Sequence, residues 1–561
     1  MGDNWFETRK HGVLVSLLIV LGYLFLMLGN NIVSLTHPDE VFYIQSAKEM
    51  LAHGDFLTPR IFDGVQFEKP FLSFALFAMA IKTFGLTPFA ARFWPALFAI
   101  IGVVAVYWIA WILFKSKRLA FLAGVILSSG FIYLALARAV LTDMIFSVLV
   151  TISIGCFCFA YYNRKYKREG ILLLFAVSGI AVLTKGVLGI LFPATAVIVF
   201  LIYKKDIAFL KTTATVWGCF LFLGFVVPWH LLMYARYGQW FLSEYFYNVH
   251  WRRVLMAEHA RLDNWYFYIM LMFVGLMPWF LFWIPAARDI FMQFKKKMAL
   301  RDQFFFLLAW IVSVYIFVQP AHSKLASYIF PAVPAIAIIL AYSLNHALEQ
   351  AQSAEEPWMV RVCAYIMSVL LVGVAIGGIV AARGYADIIL DMRPIYGAAA
   401  SLGIVAALIA FFNWKKKYFL MVLAYLGVTI TLLGAAYFSR SYIEPWVSCK
   451  PICETLLSVD PSQTPVLASK FYVRGVRFYT NRPMAVIDIG GKGFWSPHPI
   501  PFLNTDQMVV DFLNERPITW AVLKEGNVED LYRILKGRPF QIAEIDGIGG
   551  KYILRVEKKE D

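Results

Sequence analysis

Asp39 and Glu40 follow His37-Pro38 as the chain leaves its first apolar run, in a stretch that also holds Arg60 and Phe67-Glu68-Lys69-Pro70. Ionisable groups at the edge of a bilayer are costly to keep, so a concentration of them marks a site of chemistry. A carboxylate pair there can take a proton or bind a cation. A solvated loop pair is the bland alternative. Glu68-Lys69 reads either as an interfacial ion pair or as part of an anion site, because a lysine ammonium is a compact donor to phosphate. Asp143, in Arg138-Ala-Val-Leu-Thr-Asp143, opens an apolar run, where it could cap a helix, join the chemistry, or do both. Tyr247-Asn-Val-His250-Trp-Arg252-Arg253, followed by His259-Ala-Arg261, is denser in His and Arg than an ordinary loop. With a carboxylate, two such histidines suit a divalent ion such as Zn²⁺, Mg²⁺ or Mn²⁺. A basic loop gripping anionic headgroups is the competing reading. Lys324, in His322-Ser-Lys-Leu-Ala-Ser-Tyr328, and Lys185, in Thr184-Lys-Gly186, stand at the ends of apolar runs. Snorkelling towards the interface accounts for a lysine there as well as binding does.

The elements that must position these residues are membrane helices. Of the 561 residues, 60% are hydrophobic and only 16% charged, a balance far from that of a soluble domain. The net charge of +15 is carried in short clusters between apolar runs: Lys115/Lys117/Arg118, Arg164/Lys165/Lys167/Arg168, Lys204/Lys205, Lys295/Lys296/Lys297 and Lys415/Lys416/Lys417. That is a positive-inside topology signal, not a nucleic-acid surface, since no basic face forms in a folded domain. Four cysteines lie in apolar runs as packing residues. Cys449 and Cys453 follow the last run, where a disulfide or two separate thiols are both open. The run after Lys10-His11 reads as a first transmembrane helix with no cleavage site after it.

A span needs roughly 20 apolar residues. Candidates are 12–32, 89–114, 119–137, 140–162, 170–184, 186–203, 213–235, 264–285, 302–319, 325–344, 357–381, 394–412 and 417–437. Residues 71–86 are shorter, contain Lys82 and are hemmed by Pro70 and Pro88; charge bias makes them an interfacial helix. The expectation is therefore about thirteen spans, with the N-terminus cytoplasmic and the first loop (33–88), the 236–263 loop and the C-terminus outside. After 438 the pattern changes: strands are expected at 465–469, 483–488, 518–523 and 551–556, and helices at Asp506–Asn514 and Asn527–Leu535. This gives a transmembrane domain, 1–437, and a small α/β domain, 438–561.

His37-Pro-Asp-Glu40, Met50 to Arg60, Phe67-Glu-Lys-Pro70, Leu141-Thr-Asp143, Thr184-Lys-Gly186, the 247–261 loop and Ser323-Lys-Leu-Ala-Ser-Tyr328 together resemble the GT-C integral membrane glycosyltransferases of the protein-mannosyltransferase superfamily. Within it the chain is most similar to the bacterial lipid A 4-amino-4-deoxy-L-arabinose transferase group. The resemblance covers residues 10–345 and implies a polytopic α-helical GT-C fold with a small C-terminal periplasmic α/β domain. It implies inverting transfer of a sugar from undecaprenyl phosphate (a polyprenyl phosphate) to lipid A, another glycolipid or a protein, at the periplasmic face of the inner membrane. It also implies a catalytic or positioning role for Asp39, Glu40 and Asp143. Lys69, Arg60, Lys324, Tyr328 and Arg261 would bind the donor phosphate, and Glu68, His250 and His259 a divalent metal. A protein O-glycosyltransferase is the alternative within this chemistry. A lipid-linked sugar transporter is the rival class, but it calls for midplane polar residues and repeat symmetry that this chain lacks.

Overall fold

In hydrocarbon a backbone can satisfy its polar groups only inside helices or closed barrels, and the apolar runs fold accordingly. The computed structural model describes residues 4–256, 263–353, 355–385, 391–496 and 498–559. Among them, eight helices are long and apolar enough to cross a membrane. A ninth is the pair Lys117–Ser129 and Phe131–Ala137, bent by 63°, if counted as one span. The protein is a multi-pass membrane protein. Shorter apolar helices occupy His11–Met27, Leu72–Phe84 and Leu188–Tyr203. At about 1.5 Å per residue, Leu72–Phe84 reaches about 20 Å, less than the ~30 Å hydrocarbon core.

The run 264–285 is not one helix. Helix Phe267–Val274 stops at Gly275, a 3₁₀ turn covers Phe280–Phe282, and a new helix runs from Trp283 to Lys295. Pro278 lacks an N–H donor and crowds the preceding turn, which disfavours a continuous helix across it. This break meets the other one. The amides of Phe131 and Ile132 donate to the carbonyls of Met277 and Gly275 at 3.0 and 2.8 Å. The Ser129 carbonyl accepts from Thr429 Oγ1 at 2.9 Å, and Ser129 Oγ from Trp279 Nε1 at 2.9 Å. Two interrupted segments thus supply each other's missing partners.

The chain falls into two compact units: Met1–Asn30 with Arg92–Phe438, and Asn31–Ala91 with Ser439–Asp561. In the first, the basic clusters do more than signal topology. Arg118, 6% exposed, donates to Asn345 Oδ1 at 2.6 Å and Glu349 at 3.3 Å, and Lys204 pairs with Asp302.

The second unit contains a two-stranded hairpin, β1 (Arg60–Ile61) and β2 (Gly64–Val65), and a six-stranded sheet. The sheet's strands are β3 (Val466–Ser469), β4 (Met484–Ile487), β5 (Phe502–Leu503), β6 (Ile518–Leu523), β7 (Phe540–Ile548) and β8 (Lys551–Lys558), in the order β5-β4-β3-β6-β8-β7. β3 to β6 are parallel, and β8 and β7 join antiparallel. β3 and β4 are buried along their whole length, as expected of parallel strands covered on both faces. The four expected strands and both expected helices form. The edge strand β7 was not foreseen because its charged residues mask the alternation. Cys449 and Cys453 are separate buried thiols, a turn apart where helix Lys450–Val459 begins. Burial pushes Cys449 up to about 12.

Segments distant in sequence build this second unit together. The Ser34 amide donates to Glu444 at 3.1 Å, the His37 amide to the Val447 carbonyl at 3.0 Å, and Ser448 Oγ and the Tyr479 hydroxyl to the Leu35 carbonyl at 2.8 and 3.0 Å.

Replacing Thr429 with Val strips the Ser129 carbonyl of a buried partner. We expect a loss of about 1–3 kcal/mol, read as a lower melting temperature of the detergent-purified protein, with Thr429→Ser close to wild type.

Candidate functional site

In the first unit, helices Thr142–Tyr162 and Lys167–Lys185 follow one another as an antiparallel hairpin, and Asp143 and Lys185 meet at its open end. Their ion pair has side chains only 7% and 8% exposed. Asp143 lies in the first turn of its helix and Lys185 in the last turn of the other, so each charge also complements its helix dipole. The Lys185 ammonium sits 4.5 Å from the Tyr328 ring centre, a favourable cation–π distance. For Lys185 the sequence leaves snorkelling and binding equally open. Its buried partner, 42 residues away, decides against snorkelling.

Gly186 follows at φ +100°, a conformation side chains rarely adopt, and a Cβ there would fall 2.6 Å from His250 Nε2. His250 Nδ1 lies 2.6 Å from the Tyr245 carbonyl, which fixes Nδ1 as the donor. Asp143, Lys185, Tyr328 and His250 therefore form one neighbourhood.

Lys324 is 4% exposed and anchored rather than snorkelling. Its ammonium is 2.5 Å from Asp263 Oδ1 and 2.9 Å from the Ala321 carbonyl, and His322 Nδ1 is 2.6 Å from Asp263 Oδ2. The lysine, then the histidine, hold the Asp263 carboxyl below its usual range. Asp263, unnoticed in the sequence, is the shared partner. A phosphate on Lys324 would join an ammonium that already has a counter-ion. His259 and Arg261 lie outside the described residues. Among the described residues no three His, Cys, Asp or Glu side chains gather as a metal site.

The second unit carries the other candidates. Asp39 is exposed at the start of helix Asp39–His53. Glu40 is 4% exposed, and its Oε2 accepts from the Thr36 amide and hydroxyl, each at 2.9 Å. Glu40 thus ties down the helix entry beside Asp39. Arg60 pairs with Val65 in the hairpin of β1 (Arg60–Ile61) and β2 (Gly64–Val65). The hairpin's turn is held by buried Glu49, another residue the sequence did not flag. The carboxylate accepts from the Phe62 and Asp63 amides at 3.0 and 2.9 Å and from Gln45 at 2.6 Å. Gln66 then bonds the Glu68 amide at 3.2 Å and Ser46 at 3.2 Å, which sets half-buried Glu68 and Lys69 behind the hairpin.

The chain thus comprises a multi-pass helical unit and an α/β unit that includes residues of the first loop. Residues 13–242 match the family model described as dolichyl-phosphate-mannose-protein mannosyltransferase. An uncharacterized protein of Aquifex aeolicus is 33% identical over 335 residues, 59% of this chain and 64% of that one. The undecaprenyl phosphate-alpha-4-amino-4-deoxy-L-arabinose arabinosyl transferase of Yersinia enterocolitica is 29% identical over 58% of each. The matched region thus spans less than two thirds of these curated relatives. Crystal structures of ArnT from Cupriavidus metallidurans, in the apo state and bound to undecaprenyl phosphate, superpose with TM-scores of 0.75 and 0.74. They cover 97% of both chains at 18% and 19% identity. The resemblance to the protein-mannosyltransferase superfamily and its aminoarabinose transferase group thus holds in sequence and in fold.

Lys185→Met removes the cation beside the buried Asp143 carboxylate, which costs about 3–5 kcal/mol. We expect poor thermal stability in purified Lys185→Met and recovery of most of it in the double variant Asp143→Asn/Lys185→Met.

His37 supplies a pH test of the second unit. Its ring is packed 5.0 Å from each of Phe471 and Tyr472. Burial, aided by the nearby Lys551 charge, lowers it to about 4. The unfolded chain takes up this proton near 6.5 and the folded chain does not. The stability is therefore full above 6.5 and lost as pH falls towards 4, by up to ~1.4 kcal/mol per pH unit. Between pH 6.5 and 4.5 the wild type should lose more melting temperature than His37→Gln.

Proposed function

We propose that this protein is an inverting glycosyltransferase that moves a sugar of the 4-amino-4-deoxy-L-arabinose type from undecaprenyl phosphate to lipid A. The observation that carries the reading is the likeness, over 97% of both chains, to an ArnT solved with undecaprenyl phosphate. The ordered motifs from His37 to Tyr328 and the similarly named Yersinia relative support it. The basic clusters support a cytoplasmic N-terminus in the bacterial inner membrane, with the site and the C-terminal unit in the periplasm.

The chemistry follows from the bonds. The acceptor oxygen attacks C1 from the face opposite the carrier, and the C1–O bond breaks with its electrons going to the departing lipid phosphate. The charge growing there needs cations already in place, and Arg60, Lys69 and Lys324 are the candidates. A lipid A phosphate is ionised at neutral pH and attacks without a strong base. Asp39 then orients the reacting groups. For a hydroxyl acceptor, Asp39 would instead have to remove a proton. The Asp143 carboxylate is engaged by Lys185, which suits a role in holding that lysine and the Tyr328 ring. No step here is routed through a metal.

Full-length protein in detergent, given undecaprenyl-phosphate-linked aminoarabinose and lipid A, should release undecaprenyl phosphate and raise the lipid A mass by one sugar residue. Modification of a Ser/Thr peptide instead would overturn the acceptor, and no release with any acceptor would overturn the activity. Asp39→Asn and Lys69→Ala should each cut transfer about 100-fold or more with an unchanged melting temperature. Full activity in both would sink the site assignment.

A further inference from the structure

Arg474 lies in the first turn of helix Val473–Thr480, where aromatic rings, not a carboxylate, face its charge. Its guanidinium lies 4.5 Å from the Phe42 ring centre and 5.5 Å from that of Phe494. One terminal nitrogen is 3.1 Å from His498 Nε2. As arginine can only donate, His498 accepts there and is a neutral ring. The Arg474 Nε is buried with no hydrogen-bond partner. Among the described residues no carboxylate pairs with Arg474, whereas nearby Arg477 reaches Asp63 at 2.8 Å and Lys470 reaches Asp488 at 3.8 Å. An arginine cannot shed its proton, and a half-buried cation with an idle N–H costs free energy unless an anion meets it.

Its place in the fold indicates which anion. His37 packs on Phe471 and Tyr472 and faces Gly475, where a Cβ would lie 3.5 Å from that of His37. Phe42 packs on Arg474. His37 and Phe42 bracket Asp39 in the chain, and Phe42, three residues after Asp39, shares its face of the helix. The residues around Arg474 are thus clamped to both sides of the candidate acid. A guanidinium fork matches phosphate geometry, and both lipids of the proposed reaction carry phosphate.

We propose that Arg474 recognises a lipid-borne phosphate, which makes the C-terminal segment part of the substrate-binding machinery. The inference rests on the transferase reading, but its test does not need turnover. Full-length protein in nanodiscs is titrated separately with undecaprenyl phosphate, lipid A and dephosphorylated lipid A. Arg474→Gln should weaken binding of at least one phosphorylated lipid about tenfold or more, and leave dephosphorylated lipid A unchanged. Arg474→Lys, which keeps the charge but loses the fork, should fall between wild type and Arg474→Gln. The lipid affected identifies the source of the phosphate, and loss of both identifies a shared site. Unchanged binding of both phosphorylated lipids overturns the proposal, as does equal weakening of all three lipids. If Arg474→Gln fails to fold, Arg474→Lys decides: weaker binding of a phosphorylated lipid supports the proposal and wild-type binding of both overturns it. Wild-type binding without any sugar transfer would instead overturn the transferase reading and leave this one standing.

Discussion

A charge or an open carbonyl inside hydrocarbon must find a partner within the protein, and that constraint organises the helical unit. It is why the interruption at Ser129–Gly130 lies against the interruption at Gly275–Met277, with amides that follow the first donating to carbonyls of the second. It is also why Asp143 and Lys185 occur together at the ends of adjacent helices. Neither break would survive alone, because each orphan group would cost several kcal/mol in lipid. Paired, they let the chain change direction, which an unbroken helix cannot do.

The second unit obeys the same rule in a wetter setting. Buried Glu49 collects the amides of a tight turn, and Glu40 collects the entry to the acidic helix. Lys551, fully buried, donates to the Pro445 carbonyl at 2.6 Å. These groups spend their hydrogen bonds on shape, fixing the backbone beside Asp39 and that of the Glu68-Lys69 run next to the Glu49 hairpin. The first loop and the C-terminal sheet thereby become one body.

Helices were legible wherever composition alone sufficed. Long apolar runs, punctuated by Lys and Arg, placed most of the eight long apolar helices among the described residues within a few residues, but not the thirteen spans expected. Strands β3, β4, β6 and β8 were legible because central strands are almost wholly apolar or strictly alternating. The run 264–285 misled, since hydropathy counts residues and does not see that Pro278 disfavours a continuous helix. β7 was hidden for the opposite reason: an exposed edge strand needs few apolar side chains. Among the site residues, Asp39, Asp143 and Lys324 stood out as isolated charges beside apolar runs. Asp263, Glu49 and Arg474 did not, because in a polar loop a charged residue looks ordinary until its partners are known.

By itself, then, the sequence determined that this is a multi-pass membrane protein and where most of its long apolar helices lie. Those follow from local composition, because burial in lipid is priced residue by residue. Only the tertiary structure decided partnership: that Lys185 answers Asp143, that Lys324 and His322 share Asp263, and that Arg474 packs on the helix that begins with Asp39. Electrostatic energy depends on the distance between two charges, and no single stretch of chain records the distance to a residue hundreds of positions away.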